Sequence, residues 1–524
     1  MKKIITYMFA GLIACGTLTS CLSDALDTSP TDSLDGSTTL NTTDGGLIAL
    51  NGIYRSMYTS GWSTTGNTHQ CFGISSYNLM ADVMGDDMIM SGAGSGWFWY
   101  DCIYNVKGRY TLTTWRSYDL WNAYYKWINN ANNLIAAEQT MAGAETDKNY
   151  VIGQAYAIRA YSYFMLAQTF ARTYKGHESE PCVPIYTEPT KPGTPGKPRA
   201  TVADVYAQID KDIAKATELL KGTTQKHISH ISYAVAEGIQ ARIAMVEENW
   251  EKAYTAAHAA IDASGKSILP VADFAGLNDV TKSNVMWGAE IVADQSGMYA
   301  SLFSHMDASA GYYGARARKQ INKDLYDNME QGDQRASWWN KADKANGDGG
   351  YQQEKFKFKD IAQWTGDYIW MRVEEMYLTA AEAECRDGKE DDARKDLEAV
   401  MKQRITDKNQ YNVYVEKVAV LTGTKLGTST SDDLKNPGSL LAEIIKERRI
   451  ELWGEFGRIY DIRRLKQGFT RTVAQGWPST ALLTGRNSND PESYMWVLTI
   501  PQSEFDGNAS LDPTKDQNPT GDTK

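Results

Sequence analysis

The chain of 524 residues is short of the residues that make chemistry easy to read. It holds six cysteines and six histidines. Cys15 and Cys21 stand near the start, and Cys71, Cys102, Cys182 and Cys385 are widely spaced, with no CxxC pair. That pattern supplies no metal signature and no dense disulfide framework, although one or two disulfides stay open. A basic excess is missing too. The formal charge is −11, and removal of residues 1–20, which carry two lysines and no acid, makes it more negative still. Such a chain argues against nucleic-acid binding. No apolar run is long enough to span a bilayer. No long interior linker is present either: "EPTKPGTPGKP" (Glu188–Pro198) is short, and helical patterns resume on both sides.

Catalytic motifs are equally scarce. His227 and His230 lie in "HISH", with nothing like HExxH nearby. "GAGSG" (Gly92–Gly96) has the spacing of neither GxSxG nor GxGxxG. Asp82, Asp86 and Asp87 do not follow EF-hand spacing, which leaves capping and turn roles, sugar hydrogen bonds or calcium. Acid pairs abound, but a glycosidase needs two at a set separation across a cleft, which sequence does not show.

What is present begins at the N-terminus. Met1-Lys2-Lys3 precede a mostly apolar run, Ile4–Leu18, as in an export signal. Leu18-Thr19-Ser20-Cys21 has the form of a lipobox. The expected product is cut before Cys21, whose thiol carries diacylglycerol. Each buried methylene then contributes roughly 0.8 kcal/mol to anchoring. Residues 1–20 are read as the signal and 21–45 as the lipidated tether.

Amphipathic helical pattern fills most of the remainder. It is read over Asp119–Ala137, Gln154–Ala171, Val202–Leu220, Ser232–Glu247, Trp250–Ala263, Met371–Cys385 and Asp391–Gln403. Helix pairs with alanine at the contacts are similar to tetratricopeptide repeats, which present a scaffold. Short strands are expected in Ser283–Ala293 and Gln353–Phe358. The segment "KERRIELWGEFGRIYDIRRLK" alternates in sign, which predicts ion pairs on an exposed helix face. Leu441, Ile444, Ile445, Leu452, Trp453, Phe456 and Tyr460 would form its buried stripe.

Several segments together resemble the SusD/RagB family of outer-membrane nutrient-binding lipoproteins. They are the lipobox with "LDTSPTDSL", "AIRAYSYFMLAQTFAR", "CVPIYTEP", "RVEEMYLTAAEAECRDGK", "IIKERRIELWGEFGRIYDIRRLKQG", "LTIPQSEFDGNASL" and "QNPTG". The chain departs from the family in ending "GDTK" and in having "TFAR" where Phe-Gly is usual. The resemblance implies a mostly α fold of tetratricopeptide-like helix pairs, with an irregular, loop-rich portion carrying short strands. It implies one domain over 46–524, with helix pairs at about 115–264 and 370–404 and ligand loops at about 58–110 and 295–345. It also implies a non-catalytic, cell-surface lipoprotein that binds glycan and delivers it to a TonB-dependent outer-membrane transporter, with no cofactor. A peptide-binding member of the same family and a lipid-anchored glycoside hydrolase are the alternatives.

The candidate ligand residues lie in two aromatic loops. "SGAGSGWFWYDCIYN" (Ser91–Asn105) offers Trp97, Trp99, Tyr100 and Asp101 after a Gly/Ser run that suits a loop. "SGMYASLFSHMDASAGYYGARARK" offers Tyr299, Tyr312, Tyr313 and Arg316. Sugars need flat apolar platforms beside hydrogen-bonding groups, and both loops supply them. The competing reading packs these rings in the core, with alternate residues of Trp97–Tyr100 pointing opposite ways if the loop is extended. Arg318 shares Arg316's alternative of simple solvation, and Trp338-Trp339 reads as a packed loop.

Overall fold

The computed structural model describes residues 39–61, 67–105, 115–341, 350–435 and 437–520. The signal segment, Cys21 and most of the expected tether lie outside the described residues. Among the described residues no helix is long and apolar enough to cross a membrane.

About half the chain is helical, and the strands are few and short. The longer helices are α1 (Thr43–Ser56), α2 (Ile74–Met84), α3 (Trp115–Ala136), α4 (Glu145–Phe170), α5 (Val202–Leu220), α6 (Tyr233–Glu247), α7 (Trp250–Ser264), α8 (Val373–Arg386), α9 (Glu390–Met401), α10 (Lys408–Ala419), α11 (Leu440–Glu451) and α12 (Arg458–Arg464). From α3 to α9 each helix packs on the next in the chain, giving a stack of helical hairpins.

Local chemistry sets the ends of these helices. Thr201 and Asp204 form a reciprocal capping box at the start of α5. Ser232 and Asn249 cap α6 and α7 through their side chains. Small residues let the stack close up. A Cβ on Gly238 of α6 would lie 2.5 Å from the Met371 sulfur, so a larger residue there would have to displace that side chain. Ala253, Ala256, Ala257 and Ala260 of α7 are all buried.

About a hundred residues separate α7 from α8 in sequence, yet the two helices pack together. The intervening chain, joined by one strand from Met88–Met90, builds two small antiparallel sheets. One has strands β1 (Met88–Met90), β3 (Lys319–Ile321), β5 (Tyr351–Gln353) and β4 (Trp339–Asn340), in that spatial order. The other pairs β2 (Val285–Ala289) with β6 (Tyr368–Arg372) through a bulged register. Met371 and Arg372, expected to open a helix, therefore belong to β6, because the β2 pairing claims their backbone. The strand expected at Gln353–Phe358 stops at Gln353. There Lys355 turns inward, donating to the Glu451 and Trp453 carbonyls at 2.8 and 3.0 Å.

The segment predicted as an exposed, charge-laced helix is the largest correction. Every residue of α11 is buried. Its charges do pair internally, but inside the protein. Arg449 and Arg458 bind Asp86 and Asp87, and Arg464 binds Glu382 and Asp461. The Asp86–Asp87 pair is thereby committed to arginines and is not a free carboxylate cluster. Alternating charge marks a solvated face only when nothing covers the helix, and here α8, among other elements, covers it. Trp338 and Trp339 are packed, against Phe274, Trp453 and each other.

Candidate functional site

Sheet register brings the two aromatic loops together. β1 and β3 pair antiparallel with Met90 opposite Lys319. The chain leaving β1 and the chain entering β3 must therefore share one end of the sheet. Ser91 N donates to the Arg318 carbonyl and Arg318 N to the Ser91 hydroxyl, both at 3.0 Å, locking the loops side by side. Gly94 has a φ of 51°, and a Cβ there would lie 2.9 Å from the Ala317 methyl. The glycine-rich run thus permits both the turn and the close approach.

Six rings converge at this end. His69 stacks on Trp97 (5.1 Å between centroids) and on Tyr299 (5.6 Å). Tyr313 meets Trp97 edge-on at 6.0 Å and Tyr299 at 5.5 Å. Tyr312 meets Tyr299 at 5.7 Å and Trp364 at 4.5 Å. A hydrogen bond of 2.6 Å between His69 Nδ1 and the Tyr313 hydroxyl ties the wall together. Tyr299 is 44 % exposed, and Trp97, Tyr312, Tyr313 and Trp364 are half-buried. The result is a partly open aromatic surface held by its own ring contacts.

Beneath it lie two basic groups whose charged forms burial disfavours. His305 stacks on Tyr313 at 5.1 Å, and burial, with Lys319 nearby, pushes its pKa down to about 3. Lys319 is fully buried, bonded to the carbonyls of His305 and Ala317, and burial pushes its pKa down to about 7.

The expected ligand residues divide. Trp97, Tyr299, Tyr312 and Tyr313 stand together in the ring wall. Tyr100 is 49 % exposed and outside the chain of ring contacts. Arg316 is exposed at the end of the second loop. Trp99 and Asp101 turn inward and are buried. Phe98 explains this: its left-handed φ of 60° and the helical turn Trp99–Cys102 after it send Trp97 outward and its neighbours inward. Arg116, itself fully buried, grips Asp101 with two bonds of 3.0 and 2.8 Å and also donates to the Gln70 carbonyl. Gln70 in turn accepts from Phe98 N at 2.8 Å. This buried knot positions the loops instead of touching ligand. Asp101→Ala is expected to destabilise the protein by about 3–5 kcal/mol, since it strands a buried guanidinium; urea denaturation measures it, and a loss under 1 kcal/mol would contradict that role.

Two wall residues were not anticipated individually. His69 falls inside the expected loop region 58–110, but a lone histidine carries no signal of its own. Trp364 lies outside both regions, in a turn closed by backbone bonds between Asp360 and Thr365. Trp364 takes a left-handed φ of 57° in that turn, and Gly366, two residues on, was the turn signal the sequence offered there. Elsewhere, Cys71, Cys102, Cys182 and Cys385 are all buried and take part in no disulfide. Both nitrogens of His230 are engaged, by Tyr150 and Asn51, which leaves no zinc-binding pair with His227.

A cavity of about 340 Å³ lies apart from the wall, lined by Trp121, Tyr125, Tyr186, Asn129 and Glu504 among others. Several of its polar groups already serve the protein: Trp121 Nε1 donates to Glu504, and Asn129 accepts from Thr190.

Residues 223–520 match the family model described as the SusD family. The chain belongs to that family. Residues 73–245 also match a model described as starch-binding, associating with outer membrane. No curated protein matches significantly. Among solved structures, a SusD-like carbohydrate-binding protein from Bacteroides vulgatus superposes with a TM-score of 0.73 at 25 % identity, covering 90 % of this chain and 97 % of that one. A SusD superfamily protein from Bacteroides thetaiotaomicron gives 0.70 at 23 % identity, covering 91 % and 100 %. Surface glycan-binding protein A from the same species, solved with laminarihexaose, gives 0.65 at 17 %, covering 91 % and 99 %. This SusD-family chain thus has the fold of glycan-binding proteins over nearly its whole described length.

Proposed function

We propose that the protein binds an oligosaccharide across the ring wall without cleaving it. Anchored to the outer membrane through lipid on Cys21 and facing the exterior, it would pass the glycan to a TonB-dependent transporter. The observation that carries this reading is the convergence of His69, Trp97, Tyr299, Tyr312, Tyr313 and Trp364 from four separate stretches onto one partly open surface. Sugar C–H faces stack on such rings, and a long ligand suits a wall better than a closed pocket. The laminarihexaose complex of a relative with this fold supports the ligand class.

A binder also fits the fate of the local acids better than a hydrolase does. Asp101 is held by Arg116, and Asp307 accepts from Ser309 N and Phe358 N at 2.9 and 3.0 Å. Neither is free to act as a general acid.

Affinity electrophoresis of the full-length protein in gels containing plant, host or microbial polysaccharides tests the proposal. Retardation by at least one polysaccharide, with no new reducing ends on incubation, is expected. Sugar release would replace the binder with an enzyme, and peptide binding without any retardation would move the ligand class to peptides.

A further inference from the structure

Three helices of the hairpin stack bring together a histidine and two carboxylates that are far apart in sequence. His258 of α7, Glu384 of α8 and Asp396 of α9 place one donor atom each within 4.8 Å of the others. His258 Nε2 lies 2.9 Å from Glu384 Oε1 and 3.3 Å from Asp396 Oδ2.

What sets this cluster apart is how its charge is balanced. Glu384 is only 4 % exposed, and its Oε2 accepts no hydrogen bond; Asp396 Oδ2 is likewise buried without one. Among the described residues the ion pairs of both carboxylates run to His258, with no lysine or arginine among them. Buried carboxylate oxygens are ordinarily satisfied. Among the described residues a second group, Glu330, Glu443 and Glu447, also holds buried oxygens without hydrogen bonds, but its charge is compensated by Lys417 and Lys446.

We propose that His258, Glu384 and Asp396 bind a divalent transition-metal cation of the zinc type. One neutral imidazole and two carboxylates balance a dication and suit zinc, whereas calcium and magnesium prefer all-oxygen shells. Tetrahedral zinc with bonds of about 2.0–2.2 Å sets its ligand atoms roughly 3.4 Å apart. The two separations from His258, 2.9 and 3.3 Å, need at most about half an ångström of spreading. His258 is 41 % exposed, so an ion can enter from solvent and water can fill the remaining position. The ion would clasp α7 to α8, the step of the stack with the longest connection.

Calorimetric titration of the full-length protein with ZnCl2, beside native mass spectrometry, tests this. One zinc per chain is expected, with affinity reduced at least about ten-fold in His258→Gln and in Asp396→Asn. An excess of calcium or magnesium should not displace it. His258 is partly exposed, so its replacement leaves the fold intact, as circular dichroism would verify. No binding by the wild type, or undiminished binding in both variants, overturns the proposal; in the second case zinc sits elsewhere. Glycan retardation should be unchanged in both variants, so this test stands independently of the ring wall.

Discussion

Glu451→Gln is expected to lower the unfolding free energy by about 3–5 kcal/mol, the cost of breaking a buried ion pair from one side. Glu451 is fully buried and faces three arginines. Its Oε1 accepts from Arg372 at 3.1 Å and Arg404 at 2.8 Å, and its Oε2 from Arg404 at 2.8 Å and Arg335 at 3.2 Å. Glutamine keeps the shape but removes the charge and turns an N–H2 toward guanidinium donors. Glu374, Glu447, Glu455 and Asp333 would remain, so the network is depleted and not abolished.

The same residue gives stability a pH signature. Burial alone would raise the Glu451 pKa, but Arg404, Arg372 and Arg335 outweigh it and hold the carboxyl well below its usual range. A depressed folded pKa contributes stability above the unfolded value of about 4.3, and that contribution is lost as pH falls below it. Glu447 acts in the opposite sense. Burial pushes its pKa up to about 7, so its effect on stability worsens as pH rises from about 4.3 toward 7. The Glu451 contribution is therefore read as the difference between wild type and Glu451→Gln. Urea denaturation at pH 7 and again near pH 3 should show a large gap that narrows in acid. A gap under 1 kcal/mol at pH 7 would falsify the role given to Glu451.

The second large effect is on binding. Trp97→Ala is expected to weaken glycan affinity by about 2 kcal/mol, roughly thirty-fold, as for an aromatic anchor at the centre of an interface. Trp97 contacts His69 and Tyr313, so its loss removes one platform and loosens two others. Tyr299→Ala tests the exposed face alone, since Tyr299 is the most open ring of the wall; a ten-fold loss is expected. Trp99→Ala is the control. That ring is buried, so its removal should lower stability by about 3–5 kcal/mol and leave the affinity of the folded fraction nearly unchanged. Calorimetry with the oligosaccharide that retards the protein measures all three. Equal losses from Trp97 and Trp99, or none from Trp97 and Tyr299, would remove the wall as the binding surface.

Much of this was legible in the chain. Helical periodicity located α5 at its observed ends and most of its neighbours within a turn or so, because the apolar stripe that packs the stack is itself the periodic signal. α4 begins well before its apolar core, where Glu145 and Asp147 favour a helix start that hydropathy does not register. Trp97 and Trp99 are chemically alike and two residues apart. Only the left-handed turn at Phe98 separates an outward ring from an inward one. Asp101 looked available because its partner, Arg116, lies beyond the loop in a different element. The charge-rich α11 misled for the same reason: local alternation of sign records that ions pair, not whether water surrounds them.

The sequence by itself determined the family, the helical scaffold, the acidic character and the two loops that hold most of the aromatic wall. These rest on periodicity, composition and ordered motifs, which are local properties of the chain. Tertiary structure alone decided which rings face outward, recruited Trp364, buried the Glu451 network and set His258 beside Glu384 and Asp396. Those outcomes depend on contacts between residues up to several hundred positions apart, and burial and charge compensation are properties of such contacts.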